Sequence, residues 1–189
     1  MTHGPNPTGA EHSRRGLVIV YTGDGKGKTT AAVGLTVRAA GNRLRVFFLQ
    51  FIKGRWKSGE REVLRALPGV DLEVTGLGFT IERLRDPRIP LADHAAAAAH
   101  GWRAAQQVVT EGQYDVVVLD ELLGAISADL VPLDEVLALV RSKPAALHLV
   151  LTGRGAPPEL VEAADLVSEI RPIKHPYEQG IKAQRGIEF

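Results

Sequence analysis

A glycine-rich segment near the start of the chain contains the residues best suited to bind phosphate. Residues 21–30 read YTGDGKGKTT. The glycines at 23, 25 and 27 allow a tight turn whose backbone N–H groups point inward and form a nest for an anion. Lys28 adds a positive charge for phosphate oxygens, and the Thr29 hydroxyl can bind Mg²⁺. The residues predicted to bind a nucleotide are Thr22, Gly23, Asp24, Gly25, Lys26, Gly27, Lys28, Thr29 and Thr30.

This loop is one residue shorter than the usual phosphate-binding loop. The pattern G-x-x-x-x-G-K-[ST] places its first glycine five positions before the Gly-Lys pair. That position is Thr22 here, and the first glycine follows at Gly23. A shortened loop should hold the phosphates in a different register. The alternative, a glycine-rich turn with an incidental Lys-Thr, is disfavoured because the segment lies between an apolar strand and a helix, as the motif requires.

Two consecutive acids form the second candidate site. Asp120 and Glu121 end the apolar run VVVL, as in a Walker B segment. An acid at the end of such a strand can hold Mg²⁺ directly or through water. Two acids alone could equally be solvated surface residues. Together with the loop, they predict a site for a nucleoside triphosphate.

These residues do not determine which bond of the nucleotide is broken. Phosphoryl transfer needs a base or a residue that positions water, and often an arginine near the γ-phosphate. Glu121 could be the base, and Arg154, in LTGRG after a later strand, could approach the phosphates. An ATPase or a phosphotransferase is therefore one possible function.

The elements that would position these residues alternate along the chain. Strands are predicted at 17–21, 44–51, 70–74, 114–120, 146–151 and 166–170. Helices are predicted at 29–40, with Gly41 as the terminating glycine, at 92–110 and at 132–141. Strands that alternate with helices predict an α/β fold with a mostly parallel sheet and ligands at the carboxyl ends of its strands. Residues 1–14 are predicted to form a flexible arm, and residues 15–189 a single domain.

Composition excludes several functions. The chain has 189 residues and is 44% hydrophobic, as is typical of a globular domain. Its formal charge of +1 argues against a general nucleic-acid-binding module. There is no cysteine, which excludes disulfides, thiolate nucleophiles and zinc–thiolate sites. We find neither a membrane span nor a signal peptide and expect a cytoplasmic protein. The histidines lack metal-ligand spacing and are expected at the surface or at helix ends.

Several motifs in order resemble those of the ATP:corrinoid adenosyltransferases of cobalamin biosynthesis and salvage. They span residues 15–189 and read RGLVIVYTGDGKGKTTAA, QFIKG, GLGFT, YDVVVLDEL, HLVLTGRG, ADLVSEI and KHPYEQGIKAQRGIEF. The resemblance implies a three-layer P-loop NTPase (RecA-like) fold. It also implies that the short loop binds ATP in a reversed sense, so that the ribose C5′ faces the Co(I) of a reduced corrinoid. The deoxyadenosyl group then moves to cobalt and triphosphate leaves.

The same resemblance implies roles for individual residues. Lys28 and the loop amides would stabilise the departing triphosphate, with Mg²⁺ held by Thr29 and Glu121. Asp120 would be the partner that orients these ligands. Such a protein needs no nucleophile of its own, since the corrinoid carries the difficult chemistry.

The corrinoid side of the site is implied at Phe79, Thr80 and Ile81. In the family an aromatic pair here displaces the lower axial ligand of cobalt, which makes Co(II) easier to reduce. Without the resemblance, Phe79 would be interpreted as a core aromatic. The family's usual tryptophan is replaced by Ile81, so we expect weaker displacement of that ligand, or a preference for corrinoids that lack a strongly bound one.

The resemblance also implies partners. The substrates are ATP and a corrinoid of the cobalamin or cobinamide type, and an electron donor, such as a flavoprotein, would reduce Co(II). A homodimer is expected, with neither nucleic acid nor a membrane as partner. The arm at residues 1–14 would fold over the bound corrinoid, or be a tail without function.

Overall fold

The computed structural model describes residues 15–52, 54, 58–78 and 88–188. The strands are β1 (Val18–Thr22), β2 (Val46–Gln50), β3 (Val70–Val74), β4 (Val116–Asp120), β5 (His148–Thr152) and β6 (Leu166–Glu169). The helices are α1 (Lys28–Gly41), α2 (Gly59–Ala66), α3 (Leu91–Glu111), α4 (Leu122–Ser127), α5 (Leu133–Ser142) and α6 (Pro158–Ala163), and Pro176–Gln179 form a 3₁₀ turn. The predicted arm at residues 1–14 and the predicted corrinoid contacts Phe79, Thr80 and Ile81 lie outside the described residues.

The six strands form one sheet in the order β3-β2-β4-β5-β1-β6. Every pairing is parallel, which confirms the predicted sheet. In a parallel sheet all carboxyl ends lie at one edge. The segments that follow β1, β4 and β5 therefore meet there. These segments are the glycine-rich loop, the acidic pair and the loop with Arg154.

Continuous apolar strands are explained by helices on both faces of the sheet. In β4, Val117 and Leu119 pack with residues of α3, α4, α5 and α6. The alternate residues Val116 and Val118 pack on the other side with α1 and α2. Because successive side chains point to opposite faces, both sets must be apolar. The result is a three-layer α/β fold. Within the described ranges, no helix combines the length and the apolarity that a membrane crossing needs.

The helix ends differ in part from the prediction. Gly41 is the last helical residue of α1 and does not terminate it in a left-handed conformation. The residue in a left-handed conformation after this helix is Arg43, with φ 62°. The helices α2, α4 and α6 were not predicted, because segments of six to eight residues are too short to show a helical period clearly.

The start of β1 is held to β6 by one carboxylate. Asp165 accepts a hydrogen bond from the Val18 amide at 2.8 Å and contacts the Arg15 guanidinium. The hydrogen bond from Val18 holds the pKa of Asp165 below its ordinary 3.8, with the Arg15 charge acting in the same direction. A carboxylate with a depressed pKa stabilises the fold above the unfolded pKa, and this contribution is lost as the pH falls through the folded pKa.

Asp165→Asn is therefore expected to lower the free energy of unfolding at pH 7 by about 1 kcal/mol. The difference from the wild type should shrink as the pH falls from the ordinary 3.8 toward the lower folded pKa of Asp165, because the unfolded wild-type chain binds a proton there before the folded one does. Urea unfolding of both proteins between pH 7 and pH 3 measures this difference. A difference that stays constant over that range would contradict the assignment.

Candidate active site

The glycine-rich loop needs glycine at two backbone positions. Gly23 has φ 95° and Gly27 has φ 130°, conformations that residues with a Cβ rarely adopt. Helix α1 begins directly after Gly27, at Lys28. The loop is thus placed at the amino end of a 14-residue helix, where the helix dipole favours an anion. Of the other predicted binding residues, Asp24, Lys26 and Thr30 are exposed there.

The amide of Gly25 differs in direction from the predicted inward-facing nest. It does not point into the loop but donates a hydrogen bond to the Ile170 carbonyl at 2.7 Å. A Cβ on Gly25 would lie 2.7 Å from that oxygen and 2.8 Å from the Arg171 carbonyl carbon. The residue is glycine because the segment after β6 passes directly over the loop. The predicted nest of three inward amides therefore loses the amide of Gly25 to this contact.

Gly25→Ala is expected to weaken MgATP binding at least about tenfold, because two backbone segments must separate to admit the methyl group. Gly34→Ala is the matched control. Gly34 lies in α1 with nothing within 4 Å of its Cβ position, so alanine there should leave binding unchanged. Titration of both variants with MgATP by calorimetry measures the effect. Equal affinities for the two variants would show that the contact with Ile170 does not shape the loop.

Lys28 reaches into the turn of the loop. Its Nζ donates to the carbonyl oxygens of Gly23 and Gly25, each at 2.7 Å. Only 7% of the residue is exposed. Burial lowers the pKa of Lys28, and the Glu121 carboxylate partly opposes this shift. The loop therefore fixes a cation close to the start of α1, where phosphate oxygens would lie.

Asp120 is fully buried and lies at the centre of a group of polar side chains. Its Oδ1 accepts from the hydroxyls of Thr29 at 2.9 Å and Thr152 at 2.7 Å. Its Oδ2 accepts from Gln50 Nε2 at 3.1 Å. A buried carboxylate needs such donors, because an uncompensated charge in the interior is costly. The structure thus brings Thr29 and Asp120 together, as the two motifs predicted.

Glu121 turns out of the strand. It adopts a left-handed conformation, with φ 63°, and its amide donates to Thr152 Oγ1 at 2.9 Å. Its carboxylate is the charge that most raises the pKa of Lys28, against the larger effect of burial. A non-glycine residue in this conformation is strained and is found often at functional sites. Glu121 follows the last residue of β4, Asp120, and directly precedes α4.

These oxygen atoms suit a magnesium ion. The Thr29 proton is used by Asp120, so the oxygen's lone pairs remain for a cation. Magnesium prefers oxygen ligands and is usually held by one or two protein groups together with substrate phosphates. The described residues contain no cluster of three or more His, Cys, Asp or Glu that would hold a metal alone. The residues fit a magnesium ion that arrives with its nucleotide.

Arg154 lies across the loop from Lys28. Its Nε is 3.9 Å from the Asp24 carboxylate, and its charge contributes to the lowered pKa of Lys28. The same segment binds the loop directly, since the Ala156 amide donates to Thr22 Oγ1 at 3.2 Å. The loop after β5 thus brings a second cation to the site, as its position after a parallel strand predicted.

Some residues of the site were not predicted. Gln50 and Thr152 end β2 and β5, are fully buried and bind Asp120. A polar residue that ends an apolar strand was the signal available for both. His94 lies in the first turn of α3, at a helix end as expected, but it is buried, at 3% exposed, and no hydrogen-bond partner of its Nε2 is found in the described part of the chain.

The loop at the start of α1, the acids after β4 and the parallel sheet define an α/β P-loop nucleotide-binding protein. Residues 14–189 match the family ATP:corrinoid adenosyltransferase BtuR/CobO/CobP. The chain belongs to this family, which confirms the resemblance inferred from its motifs.

Individual relatives agree. The chain is 42% identical over 175 residues to the corrinoid adenosyltransferase CobA of Salmonella typhimurium, covering 93% of this chain and 86% of that protein. It is 43% identical over 176 residues to the corrinoid adenosyltransferase of Pseudomonas aeruginosa, covering 93% and 84%. Among solved structures, the flagellar accessory protein FlaH of Methanocaldococcus jannaschii is similar in fold, with a TM-score of 0.56, 14% identity, and coverage of 82% of this chain and 71% of that one.

Proposed function

We propose that the protein transfers the 5′-deoxyadenosyl group of ATP to the Co(I) of a reduced corrinoid and releases triphosphate, in adenosylcobalamin biosynthesis or salvage. The observation that carries this proposal is the family match over residues 14–189, which includes the shortened loop. The geometry of the site supports it, because Lys28, Arg154 and the α1 terminus gather positive charge around the loop.

The reaction is a displacement at carbon. The electron pair of Co(I) forms a bond to C5′, the C5′–O bond breaks, and its electrons leave with the triphosphate. Negative charge therefore grows on the triphosphate as the reaction proceeds. Charges already fixed in place stabilise such a transition state without further reorganisation. In this chain Lys28 and the amides at the start of α1 supply them, and Arg154 adds a charge at the rim.

Thr29 and Glu121 would hold Mg²⁺, and Asp120 would keep the Thr29 oxygen turned toward it. The ion would neutralise part of the charge on the leaving triphosphate. The protein's own part is to hold C5′ in line with cobalt, since alignment of two reactants lowers the barrier considerably. The hydrogen bonds of Asp120 tie Thr29 to the ends of β2, β4 and β5 and so hold this end of the loop in place.

On the corrinoid side we propose contacts by Phe79, Thr80 and Ile81. Their support is the GFT motif, and the structure describes the chain only up to Gly78 at this point. Isoleucine covers less area than tryptophan and cannot stack on the corrin ring. We therefore propose that the preferred corrinoid is one without a strongly bound lower ligand.

A second copy of the chain is proposed as a partner. Large apolar side chains are exposed in the segment after β6, with Ile173 at 90%, Tyr177 at 78% and Ile187 at 65%. Exposed apolar patches often mark protein interfaces.

A separate electron donor, such as a flavoprotein, would reduce Co(II). The reaction would take place in the cytoplasm, where ATP is made available.

Phosphorus NMR of the products tests this function against an ATPase or a phosphotransferase. With chemically reduced cob(I)alamin and MgATP under anaerobic conditions, triphosphate should form in equal amount to the alkylated corrinoid. Without the corrinoid, ATP should be stable. Orthophosphate or ADP that forms at the same rate in the absence of corrinoid would establish the alternative, with Glu121 and Arg154 acting at the γ-phosphate.

A further inference from the structure

Arg61 is a buried charged residue for which the proposed reaction has no role so far. It lies in α2 and is 9% exposed. Burial lowers the pKa of Arg61, while the carboxylates of Glu60 and Asp120 oppose the shift. Long charged side chains are rarely buried unless they are paired. The contacts of its guanidinium therefore indicate what the residue is for.

One side of the Arg61 guanidinium is connected to the nucleotide site by hydrogen bonds. Its Nε donates to Gln50 Oε1 at 2.7 Å, and Gln50 Nε2 donates to Asp120 Oδ2 at 3.1 Å. Asp120 in turn accepts from the Thr29 hydroxyl at 2.9 Å. A continuous chain of hydrogen bonds thus runs from α2 to the residue proposed to hold Mg²⁺. Charged and neutral links alternate in it, and a polarised chain of this kind resists reorientation.

The other side of the guanidinium binds the loop that follows β2. Arg61 Nη1 donates to the Gly54 carbonyl at 2.7 Å. Gly54 has φ 51°, and a Cβ there would lie 2.5 Å from the Gly78 nitrogen. Gly78 is also held by a hydrogen bond from its amide to the Ile52 carbonyl at 3.0 Å. The loops after β2 and β3 are therefore packed backbone against backbone.

We propose that Arg61 is a positioning residue that couples the nucleotide site to the loops at Gly54 and Gly78. The inference rests on the proposed function, since Gly78 is the first residue of the GFT segment and directly precedes Phe79, which is proposed to contact the corrinoid. The planar guanidinium makes its two contacts in fixed directions. A shift of Asp120 and Gln50 on MgATP binding is transmitted to the Gly54 carbonyl, and MgATP and corrinoid strengthen each other's binding.

The test measures the dissociation constant of cob(II)alamin in the absence and presence of MgATP. The ratio of the two constants is the coupling factor, and coupling between two sites is commonly about 5- to 150-fold. The wild type should show a factor in this range. In Arg61→Met the factor should fall to about 1, and in Gln50→Met, which breaks the same chain outside α2, it should fall similarly. Arg61→Lys should restore at most part of it, because an ammonium cannot make both contacts in one plane.

Arg65→Met is the matched control. Arg65 lies in the last turn of the same helix, is exposed, and loses the same charge on substitution. Its coupling factor should equal that of the wild type. A merely structural role for Arg61 would lower the melting temperature and both affinities but leave the factor unchanged.

Each outcome separates the two proposals. If the wild type forms adenosylcobalamin but shows a factor of 1, or keeps its factor in both Arg61→Met and Gln50→Met, the coupling role of Arg61 is wrong and the proposed function stands. If the wild type does not alkylate the corrinoid at all, the proposed function itself fails. Should Arg61→Met not fold, Gln50→Met decides the question alone.

Discussion

Lys28→Met is expected to reduce adenosyl transfer at least about 100-fold, because it removes a fixed charge from the place where the leaving triphosphate becomes more negative. Methionine has nearly the length of lysine but cannot donate to the carbonyls of Gly23 and Gly25. The effect should be larger on kcat than on the KM for ATP, since the charge on the triphosphate grows in the transition state. Steady-state kinetics with cob(I)alamin at varied MgATP measures both constants.

Arg38→Met provides the comparison for this variant. Arg38 is exposed in the last turn of the same helix, so its loss changes the net charge equally at a distance from the loop. Its kinetic constants should match those of the wild type. If Lys28→Met binds and turns over ATP normally, the nucleotide site has been assigned to the wrong loop.

Asp120→Asn is expected to have the second large effect. The carboxylate accepts three hydrogen bonds from donors of Thr29, Thr152 and Gln50, whereas an amide has a single accepting oxygen. Either Gln50 or both threonines, which share Oδ1, must then reverse their hydrogen bonds. If the Thr29 hydroxyl accepts a hydrogen bond from the new amide instead of donating one, an oxygen lone pair is used and the hydroxyl proton points at the cation. Activity should fall at least about 100-fold and the free energy of unfolding by about 1–3 kcal/mol.

Asp115→Asn is the matched substitution at the other end of the same strand. Asp115 directly precedes β4 and accepts from the Arg45 amide at 2.8 Å. It should leave adenosyl transfer unchanged. Magnesium titrations of activity complete the test, because Asp120→Asn should raise the Mg²⁺ concentration needed for half-maximal rate. An unchanged requirement for Mg²⁺ would mean that Asp120 does not orient a metal ligand.

The parts of the fold that sequence predicted are those whose physical signal is local. The run VVVLD predicted β4 because a strand covered by helices on both faces must be apolar at every position. The loop at residues 21–30 was predicted because the order strand, glycine-rich turn and helix is itself the motif. Both signals depend on neighbouring residues only, and the parallel sheet then fixed which loops share an edge.

The parts that sequence missed depend on contacts between distant segments. Gly25 looked like a residue of the anion nest, but the carbonyl of Ile170, far along the chain, receives its amide. Arg61 carries no local mark of its contacts in the sequence, and only the folded position of α2 brings it to Gln50 and Gly54. His94 similarly carries no local mark of its burial.

The central claim is that the protein alkylates cobalt with ATP. The most direct measurement follows the absorbance of chemically reduced cob(I)alamin after addition of MgATP and the purified protein in the absence of oxygen and light. The account predicts the spectrum of adenosylcobalamin, which illumination then destroys by breaking the cobalt–carbon bond. A cob(I)alamin spectrum that persists while ATP is hydrolysed would contradict the account.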